Sequence, residues 1–152
     1  MRTRRMVAAG IGALAAATFA ASPATASTGG TEHFLAVNTS TANNAPAPLA
    51  ATGPIHALGK DVTVANGKDR FVFPKGAIVV IHKATKSSQS YDPGSCTGRF
   101  DQQGTFKVVS GTGAYAHVQG SGTFTLNGIF LGCGKTPIGA SVIIRATGSL
   151  SF

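Results

Sequence analysis

The sequence predicts an all-β protein, a single antiparallel β-barrel of about eight strands, with a β-sandwich as the alternative. Three observations carry this. Apolar residues alternate at period two along most segments, as half-buried strands require. No stretch of a dozen residues keeps a helical period without a glycine or proline. Turn residues recur at short, even spacing, which implies eight or nine strands in about 120 residues and a closed or doubly layered sheet. A barrel is preferred because closure removes the exposed edges that a secreted β-protein must otherwise protect.

The elements follow in order. "HFLAVNT", near residues 33–39, is an early strand. "STANNAPAPLAATG", Ser40 to Gly53, is rich in Pro, Ala and Asn and is predicted to be a long loop. "IHALGKDVTV", Ile55 to Val64, is a strand expected to bend at Gly59. "RFVFP" places Phe71 and Phe73 on one side. "AIVVIHKAT", Ala77 to Thr85, is apolar on both faces at its start and reads as a central strand. "SSQSYDPGS", Ser87 to Ser95, has turn chemistry. "CTGRF", "TFKVVS", "AYAHVQ" and "GTFTLNGIFL" are further strands, joined by "DQQG", "GTG" and "GS". "SVIIRATGSLSF" closes the chain. Val142, Ile144, Leu150 and Phe152 share its apolar face and are expected in one core with Phe106, Val108, Phe124 and Leu126. Lys107 and Arg145, of opposite parity, are expected in solvent.

The ends and the charge bound the functional class. Arg2, Arg4 and Arg5 precede an apolar run from Met6 to about Ala21, and Ala24-Thr25-Ala26 follows. This is the build of a secretory signal peptide over residues 1–26, leaving a barrel domain over residues 27–152 that starts at Ser27 and is exported. Thr3-Arg4-Arg5 also hints at the twin-arginine route. The formal charge of +8 becomes +5 without those three arginines. A basic exported protein favours anionic surfaces, such as cell-wall polymers or acidic lipids. Cys96 and Cys133 are the two cysteines, and export favours a disulfide between them. Closing a loop of 37 positions is worth about 4 kcal/mol.

"GTGAYA", Gly111 to Ala116, matches a dinucleotide-binding fingerprint on paper. The chemistry of that motif needs a following helix and an acid about 20 residues on. Val118, Gly120 and Gly122 oppose a helix, and no Asp or Glu follows Asp101. The stretch therefore reads as turns. Gly111 and Gly113 supply one tight connection, and Gly120 and Gly122 a second, or a bulge that curves the barrel. Tyr115 is expected in a short strand, its ring packed and its hydroxyl near the rim.

"GTFKVVSGTGAYAHVQGSGTFTL" resembles the glycine signature of dirigent and allene-oxide-cyclase-like barrels, carried here by "GTGAYAHVQGSG". "KDRFVFPKG" with the apolar strand after it is similar to a small secreted actinobacterial family of unassigned function. The resemblance implies an eight-stranded barrel with an apolar interior, in which some members cyclise or orient small hydrophobic substrates. It matches turn and packing residues and brings no catalytic residue with it.

Four histidines are candidates for acid–base work: His33, His56, His82 and His117. His82 stands out because it shares the face of Ile78 and Val80. Asp61 and Asp69 each adjoin a lysine and are expected to be exposed. Ligand spacings for a metal are absent, as is a nucleophile elbow. The sequence thus favours a non-enzymatic binding module, with no cofactor, for a small apolar ligand or an anionic surface. His82 and Tyr115 are the candidate ligand contacts. The alternative is a barrel that cyclises or isomerises a small hydrophobic substrate.

Overall fold

The computed structural model describes residues 29–152 apart from Asn43 and Lys135. The expected signal peptide and cleavage site before Ser27 lie outside the described residues. Eight strands form a closed antiparallel barrel: β1 (Gly30–Asn38), β2 (Ala47–Thr52), β3 (Ala57–Ala65), β4 (Lys68–Phe73), β5 (Gly76–Asp92), β6 (Thr97–Gly111), β7 (Gln119–Leu131) and β8 (Gly139–Ser151). Each strand pairs with the next, and β8 pairs with β1 from Gly30↔Leu150 to Asn38↔Val142. Among the described residues no helix is long and apolar enough to cross a membrane.

Four segments depart from the sequence expectation. The loop expected over Ser40–Gly53 contains β2, where Ala47, Leu49 and Ala51 point inward and Pro48 outward. Small alanines hide its period. The turn expected over Ser87–Ser95 is mostly strand, since β5 runs on to Asp92 and the turn follows it. "CTGRF" and "TFKVVS" belong to one strand, β6, with "DQQG" inside it. "AYAHVQ" is no strand. It begins in a 3-10 turn, Gly113–Tyr115, and Gln119 already opens β7.

The glycines have two different jobs. Gly113 holds φ +61°, so it supplies the left-handed turn that its position requires. The second turn or bulge expected at Gly120 and Gly122 is not formed: both lie within β7 in unbroken register, opposite Leu150 and Gly148, and Gly111 ends β6 and is not the turn residue. A Cβ on Gly122 would come within 2.5 Å of the Gly148 Cα and 2.7 Å of the Phe106 ring. These are packing glycines, which let the β7 and β8 backbones and the Phe106 ring come together.

The interior is layered. Across its middle, Phe34 meets Phe71 edge-on at 5.1 Å and Phe106 at 6.2 Å. One end is plugged by the 3-10 turn. Tyr115 packs on Phe73 at 5.8 Å and Phe152 at 6.1 Å, and Ile55, Ile78 and Leu150 are fully buried beside it. Val108, Phe106 and Phe124 are core residues as parity predicts, with Leu126, Ile144 and Phe152 packed against them. Arg145 and Lys107 are exposed. Val142 is half-buried and lies beyond that cluster, opposite Asn38 at the end of the β1 ladder.

At the other end β5 to β8 outrun the barrel. The pairing of β4 with β5 stops at Ile81, whereas β5 and β6 stay paired to Asp92↔Thr97. Tyr91, Phe100 and Phe130 line one face of this flap. Tyr91 stacks on Phe130 at 6.2 Å, and the Phe130 and Phe100 rings cover Gly98 and Gly128. The Cys96–Cys133 disulfide ties the β5–β6 turn to the β7–β8 connection, with Cα atoms 4.7 Å apart.

Gly113→Val is expected to destabilise the fold by about 1–3 kcal/mol, because a β-branched residue is strained at positive φ. The new Cβ would also meet the Lys75 carbonyl oxygen. Thermal unfolding checks this, and an unchanged midpoint would refute the turn assignment.

Candidate functional site

Three ionisable side chains enter the barrel from neighbouring strands: Asp61 from β3, Asp69 from β4 and His82 from β5. Strand alternation puts them there. Lys60, Lys68 and Arg70 are exposed, so the residue between Lys68 and Arg70 and the one after Lys60 turn inward. The expectation that Asp61 and Asp69 are exposed is therefore corrected: Asp61 is 9% exposed, and the Asp69 side chain 14%. Sequence adjacency to lysine is no pairing in a strand, because neighbours point to opposite faces. A signal for Asp69 was present, since it shares parity with Phe71 and Phe73. Asp61 became legible only through its register opposite Phe71.

His82 Nε2 lies 3.0 Å from Asp69 Oδ2. That bond pushes the imidazole pKa up. Burial opposes the shift, and the charges of Asp69 and Asp61 add to it. The ring stands edge-on to Phe124 at 5.5 Å. Asp61 is pushed up to about 7, first by burial and then by the Asp69 charge, with His82 pulling it down. Its Oδ1 is buried and has no hydrogen-bond partner. A carboxyl in this state holds a proton near neutrality, which makes it a hydrogen-bond donor as well as an acceptor.

These groups form one wall of a cavity of about 50 Å³. Its other walls are apolar: Phe34, Phe71, Val80, Phe106, Phe124, Leu126, Ile144 and Ala146. Such a space holds about three or four water-sized groups, so it is a slot and not a wide calyx. The His82 side chain keeps 32% exposure, and the slot meets solvent at that end.

The two candidate ligand contacts from the sequence are not brought together. His82 lines the slot, while Tyr115 belongs to the plug at the opposite end. There Glu32 is completely buried; its Oε2 accepts a hydrogen bond from the Ile55 N–H at 2.7 Å, and its Oε1, like Asp61 Oδ1, is buried without a partner. Burial pushes Glu32 up, and burial followed by the Glu32 charge pushes Tyr115 up. This carboxylate anchors the β2–β3 turn. Of the other histidines, His33 bonds Thr147 Oγ1 through Nδ1 at 3.0 Å, and His33, His56 and His117 are exposed. Among the described residues no group of three or more His, Cys, Asp or Glu is placed to hold a metal ion.

The class of protein defined here is a small closed antiparallel barrel, plugged at one end, with a narrow apolar slot and an Asp–Asp–His wall at the other. The chain matches no family model, no curated protein and no solved structure.

The site sets a pH dependence. The folded state keeps the Asp61 proton up to about pH 7, whereas the unfolded chain releases it near 3.8. Stability therefore falls as pH rises between those values and levels off above about 7. His82, raised above 6.5, acts in the same direction: its contribution is present below that value and lost as pH rises through the folded pKa. Glu32, raised from 4.5, has the same sign. From about pH 5 to 7 the Asp61 share is on the order of 2–3 kcal/mol. The melting temperature should fall over this range, and Asp61→Asn should flatten the fall and gain stability at about pH 8. A wild-type midpoint that rises over the same range would contradict this.

Proposed function

We propose that the protein is a binding module for a small, narrow ligand with an apolar body and one polar end. The body lies between Phe34, Phe106, Phe124 and Ile144, and the polar end faces Asp61, Asp69 and His82. The single observation that carries this reading is the partnerless, buried Asp61 Oδ1 on the wall of an otherwise apolar slot. A buried polar atom without a partner costs about 1–3 kcal/mol, and a bound polar group recovers part of that. Export places the module outside the cell, and the basic exterior supports its retention on anionic wall polymers. Every described lysine and arginine is exposed, against Asp92 and Asp101 as the exposed acids.

A second reading has one observation in its favour. A protonated Asp61 beside an Asp69–His82 pair is an acid next to a base, the equipment for proton transfer on a bound ligand. The slot volume weighs against the cyclase-like version of it. About 50 Å³ does not enclose a long chain folded back on itself.

Titration with 1-propanol, short enough for the slot, followed by NMR of the slot-facing side chains, tests the binding reading. Shifts are expected at Leu126, Ile144 and Phe124 and not at Tyr115. Leu126→Trp, at the half-buried rim, should abolish them while the melting temperature stays within a few degrees. Propanol shifts spread over the exterior, or absent altogether, would overturn the proposal.

A further inference from the structure

We infer that the polar end of the ligand is a cationic amine. This rests on the reading of the slot as a ligand site and names its chemical class. The argument is a count of charges inside the barrel. Asp61 and Asp69 line the slot together with His82, and neither lysine nor arginine lines it. While Asp61 keeps its proton the wall is neutral; once that proton leaves, with His82 protonated, the wall carries one uncompensated negative charge. The sequence holds the matching cations, Lys60, Lys68 and Arg70, but strand alternation sends all three to the outer surface.

The missing partner is at Asp61. Asp69 already has His82 at 3.0 Å. Asp61 Oδ1 has no partner and is screened from water. An alkylammonium group brings three N–H donors and one positive charge, which satisfies that oxygen and neutralises the wall. A carboxylate ligand would instead add a third negative charge in a poorly hydrated space. An alcohol would satisfy the oxygen without compensating the charge. The slot's volume of about 50 Å³ limits the body to a short alkyl chain.

Proton linkage distinguishes an amine from the other classes. Without ligand, Asp61 holds its proton near neutrality; binding an ammonium requires that proton to leave. The groups that face Asp61 are Asp69 from β4 and His82 from β5. Its neighbour across β2 is Ala47, and β1, β6, β7 and β8 present apolar side chains to the slot. Amine affinity must therefore rise between about pH 5.5 and 7.5, with protons released on binding, while the alkylammonium itself stays charged.

The test is calorimetric titration of the full folded protein with propylamine, 1-propanol and propanoate, short enough for the slot, at about pH 5.5 and 7.5 and in buffers of different ionisation enthalpy. Propylamine is expected to bind about tenfold tighter than propanol at the higher pH, to weaken at the lower one, and to release protons. Propanoate should bind weaker than propanol at the higher pH. Asp61→Asn should bring propylamine to within about threefold of propanol and remove the proton release, while propanol binding persists and reports an intact slot. Propanol bound as tightly as propylamine by the wild type would overturn the amine inference and leave the apolar slot standing. So would an Asp61→Asn variant that keeps the preference. Binding of none of the three would overturn both.

Discussion

Closure of β8 onto β1 is the constraint on which the rest depends. The two strands come from opposite ends of the domain and pair over nine successive positions, Gly30↔Leu150 to Asn38↔Val142. Once the sheet is closed, each strand has one dry face and one wet face, and a slip of one residue would exchange them. Phe34, Phe106, Phe124 and Ala146 then share an interior, while Arg145 and Lys107 are held in water. Close packing of that interior requires glycines where backbones and rings meet. Gly122 and Gly148, side by side beneath Phe106, are the clearest pair.

The same closure sorts the charges. Of the acids, Glu32, Asp61 and Asp69 point inward, and the described lysines and arginines point outward. Burying carboxyls in so small a domain costs stability, and the barrel meets that cost differently at its two ends. Glu32 is held by the Ile55 N–H and stiffens a turn. Asp69 is held by His82. Asp61 has neither arrangement at Oδ1 and stays protonated towards neutrality instead. Glu32 Oε1 also lacks a partner, but of the two carboxyls only Asp61 lines the slot.

The ends differ in construction as well as in charge. The 3-10 turn folds Tyr115 against Phe73 and Phe152 and closes one end with a hydrogen-bonded backbone. At the other end β5 to β8 continue past the barrel as a flap, so the inward-facing parity of β6 and β7 runs from Phe106 and Phe124 out to Phe100 and Phe130. The disulfide joins the tips of that flap, where the ladder of β4 no longer supports β5. Slot and flap thus form one continuous inner surface, polar on the side of β3 to β5 and apolar on the side of β7 and β8.

The alternation of "SVIIRATGSLSF" and "RFVFP" determined by itself that the chain is all-β and that Phe71, Phe73, Ile144 and Leu150 belong with the core, though it wrongly added Val142; the glycines of "GTGAYA" marked the turn at Gly113. Local pattern suffices there because period two is a property of one strand. It failed where small residues mask the period, as in β2, and where serines and glycines mimic turns inside β5 and β6. Stabilisation of those segments comes from the neighbouring strand, which the local sequence does not contain. The site shows the same division. His82 was legible from its aliphatic face, but the lysines beside Asp61 and Asp69 in the chain made both acids read as exposed. Only the closed sheet turned those lysines outward and set two carboxyls and an imidazole around one slot, because which charges meet is decided by strand register and not by distance along the chain.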